Sequence, residues 1–161
     1  MAGVNPFIEE DIKYLLKSYP GLSIVKIATV PTLVGTVTLP EILKLGAETA
    51  TKYSIRLKIV YPEFFPVETI QVYDMDVVID WDKIPYEHQH KFIDGRLCTH
   101  HFYEIETLPF YNRSWVIVHN AIRLYLAYLN YQVDGIWILD DLAHGRNGTL
   151  RVIQDMKKWG Y

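Results

Sequence analysis

The chain has 161 residues, 50% of them hydrophobic and 14% aromatic, which predicts one domain with a buried core rather than a disordered chain. The formal net charge of −3 argues against binding to a nucleic-acid backbone, so we expect no nucleic-acid partner. No apolar run approaches the roughly 18 residues of a membrane span, and the amino terminus lacks the pattern of a signal peptide. We therefore expect a cytoplasmic protein whose single cysteine stays reduced.

One helix followed by four strands is predicted for the first half of the chain. Asn5-Pro6 predicts a helix start, with asparagine as N-cap and proline in the first helical position, and Tyr19-Pro20-Gly21 predicts its end. The strand-like runs are rich in Val, Ile, Thr and Tyr: Leu22 to Val30, Leu33 to Leu39, Tyr53 to Val60, and Thr69 to Tyr73. In the third run apolar and polar residues alternate, which is typical of a half-buried antiparallel strand.

A long irregular segment and further helices follow the strands. From Asp74 to Arg113 the periodicity fades while His, Asp, Tyr and Pro accumulate, which favours a functional loop. Ser114, in the capping position, predicts the start of an apolar helix that runs to Leu129, and a last helix is predicted over about 149–159. This order predicts an α+β fold with a four-stranded antiparallel sheet, in one domain over residues 1–161.

The segment richest in reactive side chains surrounds the cysteine. Four of the six histidines lie within ten residues of it, and Asp94-Gly95 predicts a tight turn just before it. The candidate catalytic residues are Cys98, His88, His90, His100 and His101. Thiolate is the nucleophilic form of cysteine, and nearby imidazolium groups or hydrogen-bond donors favour it. This combination indicates nucleophilic catalysis.

Two motifs at fixed distances from Cys98 resemble the ubiquitin-conjugating enzymes. Tyr61-Pro62 and Phe65-Pro66 match the two aromatic-proline pairs that follow the third strand in that family, and Tyr61, Phe64 and Phe65 are interpreted as fold determinants. His88-Gln89-His90 begins ten residues before Cys98, where the family has His-Pro-Asn, and Gly95 precedes the cysteine by three residues, as in the family. The resemblance extends over roughly residues 5 to 130 and implies the family's fold, with a catalytic-cysteine loop after the sheet.

This resemblance implies a thioester mechanism without a metal or organic cofactor. Cys98 would accept the C-terminal glycyl group of a protein from an activating enzyme and pass it to an amine, a lysine of a target protein. His90 stands where the family has the asparagine that stabilises the oxyanion, and an imidazole can donate a hydrogen bond there. His100 or His101 would act as a base or polarise the thiol.

The departures from the family resemble divergent bacterial enzymes of anti-phage operons. The loop between Tyr73 and His88 is longer than in eukaryotic members, and the tryptophan expected soon after the cysteine first occurs at Trp115. One such bacterial group modifies the C-terminus of a cGAS-like nucleotidyltransferase in cyclic-oligonucleotide signalling, and we favour it. Another carries a ubiquitin-like protein with its own activating enzyme, and this alternative stays open.

Several other interpretations of the same residues remain. The chain can be an inactive module of the ubiquitin-conjugating type that only binds a partner, or a cysteine peptidase. Its cysteine and histidines can also hold zinc, although their spacing matches no common zinc signature. The simplest alternative is a buried cysteine beside solvated histidines. In the tail, Trp137 is interpreted first as a packing aromatic, and His144 as a further polar group near the cysteine loop.

Overall fold

The computed structural model describes residues 5–26, 30–38, 54–100 and 102–139, without the side chains of residues 26, 102 and 103. Residues 40–51, between the second and third strand-like runs, and the predicted last helix lie outside the described residues, as do His101 and His144. No helix in the described ranges is both long enough and apolar enough to cross a membrane.

Helix α1 spans Pro6–Ser18 and begins as the sequence predicts. The side chain of Asn5 accepts a hydrogen bond from the backbone N–H of Phe7 at 3.0 Å, which satisfies one of the free donors of the first turn. Its amide nitrogen also donates to the carbonyl oxygen of Phe65 at 2.7 Å. One side chain therefore fixes both the start of the helix and the loop that carries the second aromatic-proline pair.

Four strands form one antiparallel sheet in the order β1-β2-β3-β4. Their bounds are Leu22–Lys26, Thr32–Thr38, Ser54–Val60 and Gln71–Asp74. The predicted alternation in β3 is confirmed: Ile55, Leu57 and Ile59 are fully buried, whereas the residues between them are half-buried or exposed. The sheet therefore packs one apolar face into the core, as an antiparallel sheet with one solvated side does.

The loop after β3 packs by alternating buried and exposed aromatic rings. Tyr61 is fully buried and meets Phe65 edge to face, with ring centroids 5.2 Å apart. Phe64, predicted to be a fold determinant like these two, is exposed, so that prediction is wrong. The turn from Pro62 to Val67 directs neighbouring side chains to opposite sides, and only one of the two adjacent phenylalanines reaches the core.

Helices α2, Phe102–Glu106, and α3, Phe110–Asp134, follow the sheet. Helix α3 begins with Pro109 as its N-cap residue, so the prediction that Ser114 caps it is wrong. Ser114 is instead a buried residue inside the helix that faces Asp11, because the helix begins five residues earlier than its apolar pattern indicates. The α+β class with its antiparallel sheet and flanking helices is confirmed.

A buried carboxyl group joins α1 to the sheet and to α3. Asp11 accepts a hydrogen bond from the hydroxyl of buried Tyr61 at 2.6 Å. Ser114 Oγ faces the same group, but neither it nor Asp11 Oδ1 closes a hydrogen bond within the described chain. Burial raises the pKa of Asp11, and the two hydroxyls partly offset the rise.

Candidate active site

A short β-hairpin brings His90 and Cys98 together. Lys91 pairs with Leu97, and beyond this pair the backbone N–H of Cys98 donates to the carbonyl oxygen of His90 at 2.8 Å. At the tip Gly95 adopts a φ of 86°, a left-handed conformation that glycine adopts without strain. The separation of eight residues between His90 and Cys98 thus places them opposite each other on two paired strands.

The hairpin is attached to the domain on both sides of the cysteine. The backbone N–H of Leu97 donates to the carbonyl oxygen of Val72 in β4 at 2.8 Å, and the Leu97 side chain is buried. On the other side, Asn120 Nδ2 of α3 donates to the carbonyl oxygen of Thr99 at 2.9 Å. Cys98 is therefore held between a strand and a helix that are separate parts of the fold.

The electrostatic surroundings of the Cys98 thiol favour its protonated form. The residue is half-buried, and burial raises the pKa of the thiol above its ordinary value. The carboxylate of Glu104 raises the pKa further, while the guanidinium of Arg96 lowers it. At neutral pH the resting group is a thiol, so a reaction at sulfur requires removal of its proton.

The segment before the hairpin is fixed by the residue between the two histidines. Gln89 Nε2 donates to the carbonyl oxygens of Trp81 and Ile84, both at 3.0 Å. Both side chains of that short turn, Trp81 and Ile84, belong to the buried core. The amide of Gln89 therefore anchors the polypeptide from which His88 and His90 project.

Trp137, which follows α3, packs against the two histidines that precede the cysteine. The Trp137 ring lies nearly parallel to that of His88, with centroids 5.5 Å apart and an angle of 14°, and to that of His90, at 6.2 Å and 7°. Tyr131 meets the same indole edge-on at 6.5 Å. The sequence interpretation of Trp137 as a packing aromatic is confirmed, but that interpretation did not include its histidine partners.

His100 lies on a different side of the cysteine segment. One of its ring nitrogens is 2.9 Å from Thr99 Oγ1 and the other is 3.4 Å from Thr69 Oγ1. It lines a groove of about 340 Å³ together with Thr69, Gln71 and Phe92, whereas Cys98 and His90 are not among the lining residues. The role of His100 as a base for Cys98 stays a prediction.

The described residues contain no group of three or more His, Cys, Asp or Glu side chains placed to hold a metal ion. His88 and His90 lie on the Trp137 side of the hairpin and His100 lies at the groove, so these three predicted ligands do not converge. His101, the remaining histidine of the zinc interpretation, lies outside the described residues.

Sequence reasoning missed Gln89, Glu104, Asn120 and Trp137 as residues of the site. Asn120 interrupts the apolar pattern of a helix, and a polar residue in that position is a usable signal for a tertiary hydrogen bond. Glu104 and Gln89 are ordinary polar residues of a loop-rich segment, and nothing in their spacing distinguishes them.

Fold and site together define an α+β protein that presents one cysteine on a hairpin, with an imidazole on the paired strand. No family model, curated protein or solved structure matches this chain.

Proposed function

We propose that this chain is an acyl carrier of the ubiquitin-conjugating kind, with the family's fold and with Cys98 as the residue that forms the thioester. The observation that carries the proposal is the hairpin pairing of His90 with Cys98, joined by the 2.8 Å backbone hydrogen bond. This bond brings the backbone of His90 alongside that of Cys98, which supports the role of oxyanion donor that the resemblance implies for the imidazole. No separate step is assigned to His88.

The first step is thioester exchange. The Cys98 thiol loses its proton, and its sulfur attacks the carbonyl carbon of a glycyl thioester on an activating partner. The bond to the partner's sulfur breaks, and that thiolate takes up a proton. Because burial and Glu104 raise the pKa of Cys98, the rate of this step rises with pH through the raised pKa.

The second step is transfer to a lysine. The neutral amine attacks the carbonyl carbon of the Cys98 thioester, and negative charge develops on the carbonyl oxygen. His90 donates a hydrogen bond to that oxygen, and the carbon–sulfur bond breaks to release the Cys98 thiolate. The proton that the amine loses as the amide forms passes to this thiolate, which restores the thiol. The carboxylate of Glu104, close enough to influence Cys98, attracts the lysine while it is still protonated, and the ammonium group loses this proton to solvent before it attacks.

The carried protein that we favour is a cGAS-like nucleotidyltransferase of a bacterial anti-phage signalling system, and the setting is the cytoplasm. The alternative is a bacterial ubiquitin-like protein with its own activating enzyme. Both use the same chemistry at Cys98, and neither requires a metal or organic cofactor in this chain.

A partner-independent assay tests the proposal. The probe is a peptide ending in Gly-Gly, supplied as its mercaptoethanesulfonate thioester, and the single cysteine makes Cys98 the only thiol that it can acylate. Intact mass measures acylation, and added Nα-acetyl-lysine amide measures transfer. Nα-acetyl-arginine amide is the matched control, since its guanidinium is a poor nucleophile.

We expect His90→Ala to acylate at the wild-type rate and to transfer about 10²-fold more slowly, the usual effect of losing one oxyanion donor. His100→Ala is the matched histidine control and should change transfer less than threefold, because His100 faces Thr69 and the groove. Equal transfer by wild type and His90→Ala would contradict the proposal. Cys98→Ala should show no acylation.

A binding module without catalysis is the second candidate, and the raised pKa of Cys98 favours it, because a protonated thiol is a poor nucleophile. In the same assay such a module would acylate slowly and would transfer no faster to lysine amide than a free cysteine thioester does.

A further inference from the structure

The segment after α3 is built to return to the hairpin. Gly135 adopts a left-handed conformation with φ 67° and ends the helix, and its N–H donates to the carbonyl oxygen of Tyr131 at 2.9 Å. Asn130 Nδ2 then donates to the carbonyl oxygen of Ile136 at 2.9 Å. These two contacts turn the chain after the helix, so that Trp137 lies against the histidines of the hairpin.

Trp137 meets both histidines that precede the cysteine, and its ring plane is within 14° of theirs. It is half-buried and packs against the core, so the indole has a fixed support. Tyr131, one helical turn before the end of α3, contacts its edge. Offset parallel stacking is a preferred geometry for aromatic rings, and it restricts the rotation of each ring.

The backbone of His90 is fixed by its hydrogen bond with Cys98, so the direction of the imidazole is set by the contacts of its side chain. A hydrogen-bond donor for an oxyanion acts only when it points at the developing charge before the reaction begins. The stacked indole restricts the tilt of the His90 imidazole, since tilting the ring would break the near-parallel contact.

We infer that Trp137 is a positioning residue: it holds the His90 imidazole in the orientation from which it donates to the thioester oxyanion. The inference rests on the proposed function. It assigns to the tail a role in the transfer step and none in acylation, because Trp137 acts through His90 and not on the sulfur.

The test uses the full chain with the peptide thioester and lysine amide. Trp137→Leu should acylate at the wild-type rate and transfer about tenfold more slowly, and Trp137→Phe should restore most of the rate because its ring can still stack. The matched control is Trp115→Leu, which removes a stacked Trp–His pair elsewhere, Trp115 with His119 at 4.8 Å and 10°, and should leave transfer unchanged.

Two further measurements separate positioning from a general loss of structure. In the His90→Ala background, Trp137→Leu should slow transfer less than twofold, because the residue through which it acts is absent. By proton NMR, the ring protons of His88 and His90 should lose a ring-current shift in Trp137→Leu and keep it in Trp115→Leu.

The outcomes distinguish the inference from the proposed function. If wild type transfers no faster than His90→Ala, the proposed function fails and the inference fails with it. If wild type transfers faster than His90→Ala but Trp137→Leu transfers as fast as wild type, only the inference is overturned. The same holds if Trp137→Leu slows transfer by the same factor in the wild-type and His90→Ala backgrounds. Trp137→Phe decides the question if the leucine variant does not fold, since loss of transfer with the ring retained would contradict positioning by stacking.

Discussion

The sheet and the segment from Asp74 to His100 are held together by different means. Strands β2 and β3 pair in unbroken register from Thr32 opposite Val60 to Thr38 opposite Ser54, over a continuous apolar face. The cysteine segment contributes a few buried apolar side chains, and in addition single polar side chains hold its backbone: Gln89 donates to two carbonyl oxygens, and Asn120 donates to one. Many similar contacts stabilise the sheet, whereas individual hydrogen bonds determine the geometry around Cys98.

The largest loss of stability is expected at a glycine of the sheet where there is no space for a side chain. A Cβ atom at Gly35 would collide with the backbone of Gly21 and Leu22 on the neighbouring strand. We expect Gly35→Ala to lower the free energy of unfolding by about 3 kcal/mol, measured by urea denaturation, because backbone cannot move aside as a flexible side chain can.

The matched glycine lies in the hairpin. Gly95 has open space around its Cα, but its φ of 86° is unfavourable for other residues. Gly95→Ala should cost only about 1 kcal/mol, through conformational strain alone. If the two variants lost equal stability, the proposed contrast between a crowded sheet and an open hairpin would be wrong.

A smaller effect is expected for the anchor of the cysteine segment. Asn120→Ala removes the donor to the Thr99 carbonyl oxygen, and a hydrogen bond of this kind contributes about 1 kcal/mol. The Cys98 amide should then exchange its hydrogen about fivefold faster in native-state exchange measured by NMR. The global free energy of unfolding should change less than it does in Gly35→Ala.

Ser23→Ala is the control for that anchor, because Ser23 also donates to a backbone carbonyl oxygen, that of Val34 at 3.1 Å, but in the sheet. It should leave exchange at Cys98 unchanged. Faster exchange at Cys98 in both variants would show that loosening spreads through the domain, against the idea of separate local anchors.

The smallest effect concerns the charges around the thiol. Glu104 raises the pKa of Cys98 and Arg96 lowers it. Iodoacetamide reacts with the thiolate, so the alkylation rate of wild type should rise with pH through the raised pKa. Glu104→Gln should move this profile to lower pH and Arg96→Gln to higher pH; shifts in the same direction would contradict the assigned causes.

The sheet and the cysteine segment also differ in how well the sequence predicts them. The alternation of Ile55, Leu57 and Ile59 and the Asn5-Pro6 pair predicted β3 and the start of α1, because burial and capping act through neighbouring residues. The resemblance to the ubiquitin-conjugating enzymes also predicted that His90 and Cys98 belong to one site, and their backbones do pair. The indole of Trp137 on His90 joins residues that are far apart in the chain, and no local pattern encodes such a contact.

Two incorrect predictions have the same origin. Ser114 is a good N-cap residue by type, but Pro109 precedes the actual start of α3, and tertiary packing buries Ser114 opposite Asp11. Phe64 is as apolar as Phe65, yet only Phe65 is turned towards Tyr61. Residue type indicates what a side chain can do, while the path of the backbone decides which contact it makes.

The central claim is that the folded site, and not merely a free thiol, transfers an acyl group from Cys98 to lysine. The most direct measurement is the ratio of two rates of aminolysis of the Cys98 peptide thioester by lysine amide. One rate is measured in the folded chain and the other in the same acylated chain unfolded in urea. A free cysteine thioester measured with and without urea corrects for the effect of urea on the reaction. The account predicts a ratio of about 10² or more, since the unfolded chain has no positioned oxyanion donor. A ratio near one would contradict it.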